Sequence, residues 1–194
     1  MENKLKIYDV KWESDASGPS PYDNIRTEVF LAGCRIAREG TPCPGCFNPK
    51  LWEQDVYTAL SSCTEVAYQI HKFGSKYVTF VGGEPLDQAW PLIEVCERLK
   101  TLGHHIIVIT HYTINDIYDM GLEPLFDVCD IIIDGEYKQE LHQFDHDIKD
   151  GFTNVIGSGN QVVYDCKKEI GMPAGILSGI SLDEKDNLIF HMKK

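Results

Sequence analysis

Two apolar, β-branched runs set the strongest limit on how this chain can fold: Ile106–Thr110 and Ile131-Ile132-Ile133. Neither alternates with polar residues, which marks strands buried on both faces, as in a parallel sheet. Further strands are expected at Arg26–Ala32, ending at Gly33, and at Tyr77–Val81. Helical spacing fills the intervals. Cys63–Phe73 places Val66, Ala67 and Ile70 on one side, with Gly74 as its stop. Ala89–Leu102 does the same with Leu92, Ile93, Val95, Cys96 and Leu99, and Gly103 closes it. Ile114–Met120 reads as a short helix. Leu5–Val10 and Gln161–Tyr164 read as additional strands. The tail reads as a hairpin, Ile180–Leu182 and Leu188–Phe190 about a turn at Asp183–Asn187. Ser14–Asp23 is a loop rich in Ser, Gly and Pro, and the polar stretch Glu136–Asp150 carries no periodicity to assign.

Strand followed by helix, repeated, predicts an α/β fold with a parallel sheet covered by helices and right-handed crossovers. Four or five such units are too few for a closed eight-stranded barrel. The expectation is one domain over residues 1–194, an open, partial (β/α) barrel of mainly parallel strands. Chemistry on such a scaffold lies beyond the C-terminal ends of the strands. The segments starting at Gly33-Cys34, Gly82–Pro85, Thr110-His111 and Asp134-Gly135 all fall there, so they are read as one site.

The net charge of −12 argues against broad nucleic-acid binding, which needs a cationic surface. No apolar run reaches the roughly 18 residues of a membrane span, so no membrane association is expected. The start, Met1 to Lys6, lacks the apolar stretch of a secretory signal, and a cytoplasmic location is expected. In that compartment seven cysteines point to metal binding or catalysis rather than disulfides. Cys63, Cys96 and Cys129 sit singly in apolar or strand-flanking stretches and read as small buried hydrophobes, and Cys166 carries no motif. Only Cys34, Cys43 and Cys46 cluster, the last two within Cys43-Pro44-Gly45-Cys46-Phe47-Asn48-Pro49.

Three thiolates in one loop suit a [4Fe–4S] cluster with one iron left open. The Cys43–Cys46 spacing also matches half of a zinc knuckle, but such a site needs four protein ligands and no second pair follows soon. After the next strand comes Gly82-Gly83-Glu84-Pro85-Leu86. Glycines allow a ligand to approach the backbone, and a carboxylate accepts an ammonium group. Alone, the same string is an ordinary strand-to-helix turn. Together, the two segments point to a cluster that binds S-adenosylmethionine through its amine and carboxylate.

These strings carry a resemblance. With Ile25-Arg26-Thr27, Trp52 and the late Gly157-Ser158-Gly159-Asn160-Gln161, the chain resembles the radical S-adenosylmethionine superfamily. Within it, the chain is similar to activating proteins of anaerobic (class III) ribonucleotide reductases over about residues 18 to 165. The resemblance implies an oxidoreductase that cleaves S-adenosylmethionine reductively on a [4Fe–4S] cluster and places a glycyl radical on the reductase. Cys34, Cys43 and Cys46 would ligate the cluster. Gly45 and Phe47 would contact the adenine, and Gly82, Gly83 and Glu84 would hold the methionyl amine. Thr110 is a candidate for the ribose or carboxylate, as are His111 and Asp134, and His111 also reads as a hydrogen-bonding partner of a loop. The implied partners are the large glycyl-radical enzyme and a small electron-donor protein such as a flavodoxin.

One departure stands out. Eight residues, Arg35 to Pro42, separate the first two cysteines, where the superfamily has a shorter gap. Loop closure tolerates this because its entropy grows slowly with length. Arg35 and Arg38 within it read as solvated charges or as a contact to a partner or carboxylate, and Asn160-Gln161 as a turn cap with no catalytic role. Two rivals remain at this point: a small radical enzyme acting on a metabolite, of the 7-carboxy-7-deazaguanine synthase kind, and a zinc-stabilised interaction domain.

Overall fold

The computed structural model describes residues 3–16, 18–21, 24–143 and 157–194. Parts of the Ser14–Asp23 loop and of the unassigned stretch Glu136–Asp150 lie outside the described residues. The strands, in chain order, are β1 (Lys4–Ser14), β2 (Arg26–Leu31), β3 (Ala59–Ser62), β4 (Tyr77–Gly82), β5 (His105–Ile109), β6 (Ile131–Asp134), β7 (Val162–Asp165), β8 (Ile170–Pro173), β9 (Leu177–Leu182) and β10 (Leu188–Met192). The helices are α1 (Arg35–Arg38), α2 (Cys63–Phe73), α3 (Ala89–Thr101), α4 (Ile114–Asp119) and α5 (Pro124–Val128).

The first eight strands form one sheet in the order β3-β1-β2-β4-β5-β6-β7-β8, and β9 and β10 form a separate hairpin. Its middle four strands, β2, β4, β5 and β6, run parallel. On either side the pairing is antiparallel: β1 with β2 and β3, β7 with β6 and β8. The sheet stays open, with β3 and β8 as its edges. The parallel character is therefore confined to the centre, where the β-branched runs lie.

The two faces of the sheet are covered differently. Val78, Phe80, Ile106, Val108 and Ile132 pack with Val66, Ile70, Leu92, Cys96 and Leu99 of α2 and α3. Ile107, Ile131, Ile133 and Val163 point the other way and pack with Leu177, Ile180, Leu182 and Leu188 of the hairpin. Both faces of β5 and β6 are buried, as their composition predicts, but the second cover is a hairpin and not a helical layer. Tyr77 Oη and Lys76 Nζ fasten that hairpin, donating to the Asp186 carboxylate at 2.7 and 2.6 Å. Cys63, Cys96, Cys129 and Cys166 are buried in the helical-side core.

Helix α2 starts where the Ser62 hydroxyl accepts the Glu65 backbone N–H, and α4 starts at a reciprocal cap between Thr113 and Asp116. At the N-terminal end of β2, away from the cysteines, Arg26 is wholly buried. Its guanidinium donates to Thr79 Oγ1 and to the carbonyls of Pro19, Val78 and His105 at 2.6–3.2 Å. Burial lowers its pKa to about 9. The Ile25-Arg26-Thr27 string thus serves the base of the sheet rather than the site.

Candidate metal centre

The carboxyl ends of the four parallel strands meet in one cleft. Its walls include Cys34, Cys43, Cys46 and Phe47 from the loop after β2, Gly82, Gly83 and Glu84 after β4, Thr110 and His111 after β5, and Gly135 after β6. The convergence inferred from the strand positions is therefore present in the structure.

The long gap between the first two cysteines is folded, not slack. Cys34 caps α1, which takes up the four residues that follow it. The chain then returns so that Gly33 and Cys34 donate their N–H groups to the carbonyls of Leu51 and Trp52, both at 2.9 Å. Between these two passes, a turn closed by Cys46 N–H to Cys43 O holds the backbone of the last two cysteines together. Of the two arginines, Arg35 stays largely solvent-exposed and Arg38 makes a carboxylate contact. Arg35 donates to Tyr112 Oη at 2.6 Å, and Arg38 pairs with Asp87 at 3.8 Å. The Arg35 backbone N–H also donates to the Asp87 carboxylate. Helix α1 is thereby anchored to the turn after Glu84 and to the end of β5.

Gly82 and Gly83 have a role that sequence reasoning misses. A Cβ at Gly82 would lie 2.3 Å from Leu31 O, and one at Gly83 would lie 2.0 Å from Gly33 O. Gly82 also has a φ of 139°, which side chains disfavour. The glycine pair lets the end of β4 press against the start of the cysteine loop, and Gly83 N–H and Glu84 N–H bond back to Leu31 O and Gly33 O at 2.9 and 2.7 Å. Chain packing alone requires glycine here, whatever binds in the cleft.

Glu84 is 1% exposed, yet its carboxylate belongs to the cleft wall. Oε1 accepts from Leu86 N–H at 2.9 Å and Thr110 Oγ1 at 2.6 Å, and Oε2 accepts from His111 N–H at 2.8 Å. Burial outweighs these bonds and raises its pKa to about 7. Oε2 thus accepts one of these bonds and Oε1 two. Thr110 is committed to Glu84 through its hydroxyl. Asp134 lies outside the cleft: its two oxygens accept from Ile114 N–H and Val162 N–H, fixing α4 and β7. Gly45 also lies outside the lining, where its backbone faces the side chain of Gln139.

Burial pushes the Cys34 thiol up to about 11 and the Cys43 thiol upward as well. Backbone N–H groups of Ala37 and Tyr137 oppose this at Cys34 and Cys43 respectively, by favouring the thiolate. The His111 ring stands 3.3 Å from Cys43 Sγ through its Nδ1, and burial keeps its pKa low.

Sequence reasoning overlooks Tyr137 and undervalues Gln161. Both line the cleft. Phe47, 58% exposed, packs against Tyr137 in a tilted arrangement with ring centroids 4.7 Å apart, and His142 lies 5.7 Å from Phe47. These rings form an aromatic lip. The Gly-Ser-Gly-Asn-Gln string underlies it: Gln161 Nε2 donates to Gly135 O, Asn160 Nδ2 to Glu136 O, and the buried Ser158 hydroxyl accepts from Lys138 N–H. It does cap a turn, and that turn is part of the cleft.

The donor set fits an iron–sulfur cluster held by three cysteines. Three soft thiols share the cleft, and the other four cysteines are buried in the core. Among the described residues, no group of three or more His, Cys, Asp or Glu side chains, the three cysteines included, is placed to hold a single metal ion.

The chain belongs to the 4Fe-4S single cluster domain family, whose model matches residues 22–164. The zinc-stabilised alternative is set aside on that ground. Among solved structures, the crystal structure of QueE from Escherichia coli is similar at 16% identity and a TM-score of 0.43, over 57% of this chain and 53% of that one. The chain thus spans about half the length of that relative. No curated protein matches. Among the described residues, no helix is long and apolar enough to cross a membrane.

Proposed function

We propose that this protein is a radical S-adenosylmethionine enzyme that works on a partner protein. The supporting observation is the meeting, in one cleft, of three thiols, the Glu84 carboxylate and an aromatic lip. A [4Fe–4S] cluster bound there would supply the electron for reductive cleavage of S-adenosylmethionine. The chain's residues do the holding. Cys34, Cys43 and Cys46 ligate the cluster. The Glu84 carboxylate, beside the backbone of Gly82 and Gly83, would receive the methionyl ammonium. Phe47, with Tyr137 next to it, offers a ring face to the adenine, and Gly45 holds the turn that presents Phe47. Thr110 acts through Glu84, which it orients.

The finer reading is that the hydrogen atom comes from a backbone glycine of an anaerobic ribonucleoside-triphosphate reductase. A small electron donor such as a flavodoxin supplies the electron, in the cytoplasm. Its support is the late Gly-Ser-Gly-Asn-Gln string, which borders the cleft. Reconstituted anaerobically with iron and sulfide, the protein should be brown, with broad visible absorbance. Reduced and mixed with S-adenosylmethionine, it should release methionine and 5′-deoxyadenosine. With the reductase added, electron spin resonance should show a glycyl radical doublet. Cofactor cleavage without that doublet, accompanied by turnover of a small metabolite, would refute the activase assignment. A colourless protein carrying zinc would refute the whole reading.

A further inference from the structure

His111 is the one side chain among the described residues that is hydrogen-bonded to the sulfur of a proposed cluster ligand. Two anchors fix where it stands. Its backbone N–H donates to the buried Glu84 Oε2 at 2.8 Å, and the neighbouring Thr110 hydroxyl holds the other oxygen at 2.6 Å. The ring then reaches across the cleft, and Nδ1 lies 3.3 Å from Cys43 Sγ. Cys43 also faces the backbone N–H of Tyr137. Cys34 faces only a backbone donor, Ala37. A thiolate bound to iron has no hydrogen to give, so the contact places the ring hydrogen on Nδ1.

Hydrogen bonds to ligand sulfurs draw electron density from a cluster and raise its reduction potential. We propose that His111 is a positioning residue that donates its Nδ1–H to the Cys43 sulfur and thereby makes the cluster easier to reduce. The inference rests on Cys43 being a ligand. It assigns the Cys43 corner an asymmetry: two donors there, one of them a side chain.

The test compares reconstituted wild type, His111→Ala and His111→Asn. The anchor to Glu84 runs through the backbone, so both variants keep it. Asparagine also sets an amide N–H close to where Nδ1 stands. All three should hold equal iron and sulfide and unfold at the same temperature. In a redox titration followed by electron spin resonance, His111→Ala should be harder to reduce. At a fixed potential its oxidised-to-reduced ratio should rise at least tenfold, which is 59 mV for one electron. His111→Asn should recover at least half of that shift. In wild type carrying 15N-histidine, pulsed resonance should detect a nitrogen coupling that His111→Ala lacks. Equal potentials in all three proteins would overturn the inference while leaving the cluster reading intact. So would loss of iron from His111→Ala that asparagine does not restore, because His111 would then be a ligand or a structural prop. A wild type that assembles no cluster would remove the ligand assignment itself, and the inference with it.

Discussion

Replacing Gly83 with alanine adds one methyl group at the most crowded point of the site. That carbon would lie 2.0 Å from Gly33 O, 2.5 Å from Gly33 C and 2.7 Å from Leu51 O. All three are main-chain atoms, and Cβ contacts under 3.0 Å essentially never occur, so no side-chain rotation relieves the clash. The end of β4 and the start of the cysteine loop must move apart by about 1 Å, which strains or breaks the 2.7 Å bond from Glu84 N–H to Gly33 O. Overpacking of this kind costs about 1–3 kcal/mol, and the lost hydrogen bond about 1 kcal/mol more. The sum is roughly 2–4 kcal/mol, which for a chain of this size lowers the unfolding midpoint by roughly 4–16 °C. Thermal unfolding of iron-free protein, followed by circular dichroism, measures this directly. The same variant should retain less iron after reconstitution, because Cys34 moves with Gly33. If the glycine existed only to admit a ligand, the iron-free variant would unfold like wild type, take up full iron and fail only in cofactor binding. An unchanged midpoint with full iron would refute the packing argument.

Three further outcomes are expected. Alanine at Cys34, Cys43 or Cys46 should abolish cluster retention, whereas Cys96→Ala and Cys129→Ala should keep wild-type iron and sulfide content. Carbon-13 resonance of labelled glutamates in iron-free protein should show Glu84 titrating near 7, and Thr110→Val, which removes a donor, should move it higher. The folded-state pKa lies above the ordinary 4.5, so the protonated form favours folding. That stabilisation is full below pH 4.5 and is lost as pH rises through 7, a change of about 3 kcal/mol visible as a falling unfolding free energy. Arg26→Met should cost at least about 3 kcal/mol in urea unfolding, since it removes a buried donor shared by Thr79 Oγ1 and three carbonyls, and Arg26→Lys should recover only part of it. A methionine variant as stable as wild type would contradict the role assigned to the buried guanidinium.

The central strands and the two long helices are legible in the sequence because their residues report burial directly. An unbroken apolar run as in β5 and β6 suits a strand covered on both faces, and the spacing in α2 and α3 suits a helix covered on one. Strands β3 and β8 and helix α5 escape such reading because they are four or five residues long, too short for a period to show. Strand β1 runs on to Ser14, beyond the expected Val10, because register shifts against β2 break its alternation. The three cysteines stand out by spacing alone. The restraint on Arg35 does not, since its partner Tyr112 is 77 residues away, and neither does Tyr137, whose place depends on the whole sheet. The glycine pair draws notice as a place for a ligand, yet its neighbours in space are Leu31 and Gly33, which no reading of adjacent residues reveals.

The hairpin that shields Ile107, Ile131 and Ile133 follows every parallel strand in the order of synthesis. During translation, those three isoleucines remain wet until residues 177–192 have left the ribosome. Nascent chains should therefore expose a greasy, strand-rich surface late into elongation and engage chaperones there. A stall between residues 134 and 177 should prolong that exposure and the risk of aggregation.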